Sequence, residues 1–555
     1  MIDLQSSFCG VMSADFISVL RECFDGDAQI EQLKRKRQIR YLEHYLRNLD
    51  AETVVIEKNY IDHDYLEDYA SYYARCFTSY PRACVRLHFF SISLSDARVR
   101  KFIVTNSTSE FKDVIDSYLG FVILKPLSET VIGRTCLKPC VNVKCNRGNS
   151  ITKIDYKALC EVEVSFFGQQ LKVKCMPFME QDKIISTCAI CSLWSALYVS
   201  SNLFGHSVLS AARIAIKAKE HGASLRRAIP NRYGLLANEM AYVIRSIGLD
   251  VVAVDLKHMI DVWRKNSLVG NVYAYLNAGI PVLLLGEFIG SRGLPGSKHA
   301  FVVNGYKCKK TNWNVLPKER LYASAVVDEL IVNDDCIGPY ASMKIPFDRK
   351  YILRPKSGGM TTNKLLSFAD ISKNRGWIRV SFDMVTNWRQ KGEKERDFRV
   401  LYLIIPIYDK IRVNYEEIWG MAYPFEGMVK RFMREIDMTW RIKLVKGGDF
   451  KNYIRKMSDI CEEDRMDLLV KSLPKYMWEV AVLIDNVVNA MFYVDATDAG
   501  PGLKIIISLF IFKDMLRISK VLSNKGCFKE RPNLICDVCE EALNQPYAQQ
   551  KFCFS

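Results

Sequence analysis

Cys188 opens an apolar run, CAICSLWSALYVSS, in which Ala189, Leu193, Ala196 and Leu197 recur at helical spacing together with Trp194 and Tyr198. Ser186 and Thr187, just before it, are residue types that cap helix N-termini. Cys188 is therefore expected in the first turn of a buried or half-buried helix. There the unpaired N–H groups and the helix dipole stabilise a thiolate, the form of cysteine that attacks a carbonyl. Gln181 lies seven residues upstream. Its side-chain amide can donate to the oxyanion formed in such an attack, and with the Cys188 backbone N–H it would make a two-donor hole. Cys191 is the rival nucleophile, but it lies deeper in the helix, away from the N-terminal dipole.

A thiolate nucleophile needs a base that later protonates the leaving group. Of seven histidines, His206, His221, His258 and His299 follow the helix start. His299 is distinguished by its setting: HAFVVNGYK is a strand-like run, and the glycine-rich stretch GEFIGSRGLPGSK precedes it. A second run, VVDELIVNDD, ends at Asn333, Asp334 and Asp335 before the turn CIGPY. If the two runs pair as an antiparallel hairpin, the start of the first lies beside the end of the second. His299 would then meet a carboxylate that orients its ring. Alternation from Leu330 and Val332 puts Asp334 on their face of the strand and Asn333 on the other. Asp334 is therefore the expected orienter, with Asn333 and Asp335 as alternatives.

Three blocks would have to position these residues. Residues 1–150 read as a mixed α/β block with a helix over residues 30–49, where Lys34, Arg35, Lys36 and Arg37 form a solvated face. A further helix-like stretch, HDYLEDYASYYARCF, lies between strand-like runs at ETVVIEK, CVRLHFFSISL and GFVILK. His88, inside the second of these, reads as a packed core histidine. Residues 151–348 carry the candidate site. Residues 349–555 alternate between strands (FRVLYLIIPIY, TWRIKLV, MWEVAVLI, AMFYVDAT) and a long helix, YEEIWGMAYPFEGMVKRFMREI. The fold class expected is α+β, with the site-bearing core flanked by N- and C-terminal mixed domains.

The chain has 555 residues, 49% hydrophobic and 25% charged. At roughly 150–200 residues per domain it holds about three domains, and its balance excludes a disordered or collagen-like chain. The first 25 residues lack a basic n-region and an apolar h-region, so no secretory signal is expected. GLKIIISLFIF, the most apolar late stretch, is shorter than the roughly 18 residues a membrane span needs. A cytoplasmic protein without a membrane partner is expected, its 18 cysteines reduced. The 78 basic against 62 acidic residues give +16, which permits a nucleic-acid partner but, spread over the chain, only weak binding. Two cysteine groups, Cys136/Cys140/Cys145 and Cys527/Cys536/Cys539/Cys553, fall short of two close ligand pairs, so no metal and no cofactor is expected.

QDKIISTCAICSLWSALY, YLNAGIPVLLL, HAFVVNGY and LIVNDDCIGPY, in that order, resemble a papain-like cysteine peptidase core. The set is most similar to the bacteriocin-leader-processing (double-glycine) peptidases and their stand-alone relatives. The resemblance runs from Gln181 to Tyr340. It implies Cys188 as nucleophile, His299 as base, Asp334 as orienter and Gln181 as oxyanion donor, in an intracellular thiol peptidase or isopeptidase. The substrate implied is a peptide or protein, cleaved at a glycine-rich site. An acyl or amide transferase would use the same thioester chemistry. A scaffold with a vestigial triad, binding protein or nucleic acid, is the alternative of another class. Two departures stand out: the usual Cys-Gly-Pro is Cys-Ala-Ile, and 35 residues separate His299 from Asp334, longer than a tight hairpin needs. No transporter or ATPase segment accompanies the motif. Neither flanking block matches a family, and oligomeric state is not legible.

Overall fold

A computed structural model describes residues 8–510, apart from internal stretches of which 144–151, 221–227, 309–320, 346–376, 381–395 and 421–437 are the longest. The fold is α+β, built on several antiparallel sheets. No helix among the described residues is long and apolar enough to cross a membrane.

The N-terminal block is a five-stranded meander, with Phe8–Ser13, Thr53–Tyr60, Cys84–Phe90, Tyr118–Leu124 and Ile132–Leu137 paired in chain order. Its middle strands are almost wholly buried, as their near-continuous apolar sequence requires. The helix expected over residues 30–49 is two helices, Asp27–Arg35 and Arg37–Asn48. Lys36 between them is extended (φ −69°, ψ 136°) and sends its ammonium to the buried carboxylate of Glu180, 2.5 Å away. The charged run is thus only partly a solvated face, because one of its lysines is spent on an ion pair. The second helix-like stretch ends early, at Ser71, and one short 3-10 turn follows, Tyr73–Arg75.

At the centre lies an eight-stranded antiparallel sheet. Six of its strands close into a ring: Val282–Ile289, the histidine strand Pro295–Cys308, the aspartate strand Val327–Asp334, Gly338–Lys344, Trp377–Val380 and Arg396–Tyr408, which returns to pair with the first. Closure leaves the ring without free edges. The domain boundary expected at residue 348 therefore falls inside one sheet: Trp377–Val380 and Arg396–Tyr408, read as part of the last block, complete the ring. Against the ring packs the cysteine helix, Cys188–Phe204, apolar on nearly every side and buried along most of its length.

The C-terminal sheet, Met438–Lys446, Tyr476–Ile484, Val487–Asp495 and Ile505–Phe510, takes one short parallel strand, Leu321–Tyr322, from the connection between the histidine and aspartate strands. Its expected strands are present. Of the long helix expected after residue 414, residues 415–420 are helical and the rest lies outside the described residues. So do Cys145 and the four C-terminal cysteines of the weighed zinc groups. Cys136 and Cys140 are buried thiols.

Candidate active site

Thr187 occupies the N-cap position of the cysteine helix, but neither it nor Ser186 caps in the expected way. Thr187 makes no side-chain cap bond, and both hydroxyls are buried without a partner. The approach to Cys188 is held instead by Asp182. Its Oδ1 accepts from the backbone N–H groups of Ile184, Ile185 and Ser186 at 2.9, 2.8 and 2.7 Å, and its Oδ2 accepts from the Tyr73 hydroxyl at 3.0 Å. A buried carboxylate taking four donors fixes a loop far better than one threonine would. The first-turn N–H groups of the helix are left for whatever binds at Cys188. Cys188 is half-buried, whereas Cys191 is buried and its thiol is pushed far up by burial, with Asp335 and Asp182 adding to the shift.

One turn into the helix, the Ser192 hydroxyl donates to the Ala300 carbonyl at 3.0 Å. That bond docks the helix on the histidine strand one residue past His299. The Cys188 thiol is a neighbour of the His299 ring and helps to hold its proton. The His299 Nε2 lies 3.0 Å from Asp334 Oδ1. Phe301 packs edge-on against the ring at 4.6 Å between centroids and fixes its plane. Because Nε2 faces Asp334, Nδ1 is the nitrogen free to serve the thiol.

Val302 of the histidine strand pairs with Asn333, and after a register shift between Val332 and Asp334 the strand ends with Asp334 paired to Gly338, at the edge of the turn. Asn333 points away from His299. Its side chain takes N–H donors from Asn304 (3.0 Å) and Tyr340 (3.1 Å) and donates to the Pro177 carbonyl at 3.1 Å, stitching the chain before Gln181 to the aspartate strand. Asp335, an alternative orienter, also meets His299. The chain turns after Asp334 and brings Asp335 Oδ1 to 3.5 Å from Nε2. Burial alone would lower the basicity of His299, but the charges of Asp335 and Asp334 outweigh it and hold the imidazole well above its ordinary value. Burial pushes the Asp335 carboxyl up to about 7, with His299 opposing and Asp334 adding to the push.

Gln181 reaches the same turn. Its side-chain amide donates to Cys336 Sγ at 3.1 Å, so in this state the proposed oxyanion donor is engaged by a neighbouring thiol. The N-terminal block supports both loops. Lys36 holds Glu180, Gln38 donates to the Asp335 carbonyl at 3.3 Å, and Tyr41 donates to the Pro339 carbonyl at 2.8 Å. A Cβ on Gly338 would sit 2.2 Å from the Tyr41 ring, so only glycine lets that helix approach this closely. Asp182 and Cys336 carried no sequence signal beyond closeness to Gln181 or Asp334, and nothing in the sequence tied Lys36 or Tyr73 to the site. His88 is fully buried between Tyr118 and Glu57, and burial lowers it to about 4, as a packed core histidine should be.

Compared with known proteins, the chain matches no protein-family model and no curated sequence.

Proposed function

We propose that the chain is a papain-like thiol peptidase or isopeptidase in which Cys188, His299 and Asp334 form the catalytic triad. The observation that carries the reading is a half-buried cysteine at a helix N-terminus without a side-chain cap, beside a histidine that a buried carboxylate orients from an adjacent strand. A helix seated against a closed antiparallel ring is the architecture such a site requires, because nucleophile and base come from different layers.

Cys188 Sγ attacks the amide carbon, and the tetrahedral oxyanion takes hydrogen bonds from the Cys188 N–H and from Gln181 once its amide leaves Cys336. His299 gives the Nδ1 proton to the departing amine, leaving a thioester on Cys188. Water, deprotonated by the now neutral imidazole, releases the acid. The charges of Asp335 and Asp334 favour the protonated imidazole of His299, the form that gives its proton to the leaving amine. The substrate class is a peptide or protein amide, and glycine at the cleavage site follows from the resemblance to double-glycine peptidases.

The test is acyl-enzyme capture. Intact-mass measurement after incubation with peptides carrying Gly-Gly sites should give an adduct on Cys188 and free amine product, both lost in Cys188→Ala. Turnover that survives Cys188→Ala, or no adduct and no cleavage across such peptides and cell-lysate protein, overturns the reading.

A further inference from the structure

The turn after the aspartate strand carries more donor atoms than a thiol peptidase uses. Among the described residues, His299, Asp334, Asp335 and Cys336 each bring one ligand atom within 4.8 Å of the others. Asp334 suffices to orient the imidazole, and a peptidase needs neither Asp335 nor Cys336 there. Asp335 is 3% exposed, yet its Oδ1 makes no hydrogen bond and faces His299 Nε2. Two buried carboxylates facing one imidazole leave an excess of negative charge that a bound cation would offset.

We infer that His299 Nε2, Asp334, Asp335 and Cys336 Sγ form a zinc site that holds the proposed thiol peptidase inactive. The inhibition rests on the reading of the preceding section; the binding does not. Zinc bonds of about 2.0–2.3 Å to N, O and S, arranged tetrahedrally, place neighbouring donors about 3.3–3.7 Å apart. The four donors lie within 4.8 Å of one another, so the turn must close slightly around an ion; Nε2 to Asp335 Oδ1 is already 3.5 Å, whereas the 3.0 Å edge from Nε2 to Asp334 must open. One imidazole, two carboxylates and one thiol suit a borderline cation such as zinc rather than magnesium or calcium, which take oxygen donors. A thiol and carboxyls bind the metal as anions, so binding releases protons to solvent and tightens as pH rises.

The inhibitory step balances simply. Zinc takes the Nε2 lone pair in place of a proton, which leaves to solvent. The imidazole then keeps only its Nδ1 proton and carries no net charge of its own. Giving that proton to a leaving amine would require an imidazolate on the metal, so His299 no longer serves as the acid. Cys188 is not among the four donors, which separates this site from simple capture of zinc by a reactive Cys–His pair.

The experiment loads the full chain with cobalt(II) as a spectroscopic stand-in and measures zinc affinity by competition with a chromogenic chelator. Expected are a sulfur-to-cobalt charge-transfer band that persists in Cys188→Ala and disappears in Cys336→Ser, and a zinc affinity at least about tenfold weaker in Asp335→Asn. Cys188→Ala has no peptidase chemistry, so this arm stands whether or not the chain cleaves peptides. A band that vanishes with Cys188 and survives without Cys336 overturns the site, as does the absence of measurable cobalt and zinc binding. Peptidase activity that is unchanged with the site saturated would overturn the inhibition alone.

Discussion

His299 Nε2 sits 3.0 Å from Asp334 Oδ1 although 35 residues separate them in the chain. The histidine and aspartate strands are neighbours in the closed ring, and the pairing of Val302 with Asn333 sets the head of one beside the end of the other. The intervening chain is free to leave: Leu321–Tyr322 joins the C-terminal sheet. Proximity is thus a property of the register and survives a long connection. The same turn delivers a second carboxylate, so His299 is held by two acids where one suffices.

Removing the acids one at a time should expose that redundancy. His299→Ala is expected to lower kcat by about 10²–10⁴-fold, the range for loss of a general acid–base. Asp334→Asn should cost clearly less, because Asp335 at 3.5 Å can take up part of the orienting role. The double variant Asp334→Asn/Asp335→Asn should lose more than the product of the single losses, which a thermodynamic cycle on kcat would read directly. Strict additivity would mean that Asp335 does not support the imidazole.

The charges around His299 also fix the direction of its pH response. Its folded-state value is raised above 6.5, so the stabilisation it gives is complete below that ordinary value and is lost as pH rises through the raised one. Asp335, raised from 3.8 to about 7, favours the folded state through its bound proton, and that contribution is lost earlier, as pH rises from 3.8 to about 7. The melting temperature of Asp335→Asn should therefore gain on that of the unmodified chain between pH 4 and 7. In activity, the alkaline limb of kcat should lie well above pH 6.5 and move down in Asp335→Asn, since His299 loses its largest favourable charge. The histidine and the two acids titrate as one unit, so the limb reports the cluster rather than a single residue.

The parts of this arrangement visible in the sequence are those that follow from periodicity. The apolar spacing after Cys188 gives a helix, and alternation through Leu330 and Val332 separates Asp334 from Asn333. Periodicity ends where strands end, so it could not say that Asp335, beyond the strand in the turn, meets His299 together with Asp334. Long-range partners were equally invisible. Nothing local marks Lys36 as the partner of Glu180 or Asp182 as the acceptor for Tyr73, and the helix expected over residues 30–49 breaks because of such a contact. The ring escaped for a related reason, since its last two strands lie beyond a long stretch without a strand pattern.

Gln181 should act only in the transition state. Gln181→Ala is expected to lower kcat by about 10²–10³-fold, the cost of one oxyanion donor, with KM little changed. Gln181→Glu should be worse than alanine, because it sets a negative charge beside the developing oxyanion. An unchanged kcat in Gln181→Ala would show that the amide, which donates to Cys336 in this state, never reaches the substrate.

The two helix cysteines differ in surroundings rather than in chemistry, and alkylation should separate them. Cys188 is half-buried and paired with His299; Cys191 is buried, and burial pushes its thiol far up. Iodoacetamide at pH 6–7 should label Cys188 well before Cys191, and His299→Ala should slow that labelling by removing the cationic partner of the thiolate. Cys191→Ser should leave turnover nearly unchanged and affect stability alone. Peptide mapping that finds Cys191 modified first would move the nucleophile one turn along the helix.

The ion pair of Lys36 and Glu180 tests whether the N-terminal block builds the site or merely adjoins it. Glu180 precedes Gln181 directly; its side chain is 2% exposed and its second oxygen accepts from the Ile132 N–H at 3.2 Å. Lys36→Met would leave that carboxylate buried without its cation. Fully buried pairs lose ~3–5 kcal/mol when one partner goes; the Lys36 side chain is 21% exposed, so the cost should fall below that range. The loop that carries Gln181 shares the strain, and kcat should drop along with stability. Adding Glu180→Gln removes the stranded charge, keeps an acceptor for Ile132, and should recover most of both losses. If stability falls in Lys36→Met while kcat per folded molecule holds, the N-terminal block is a support for the fold and not for the chemistry.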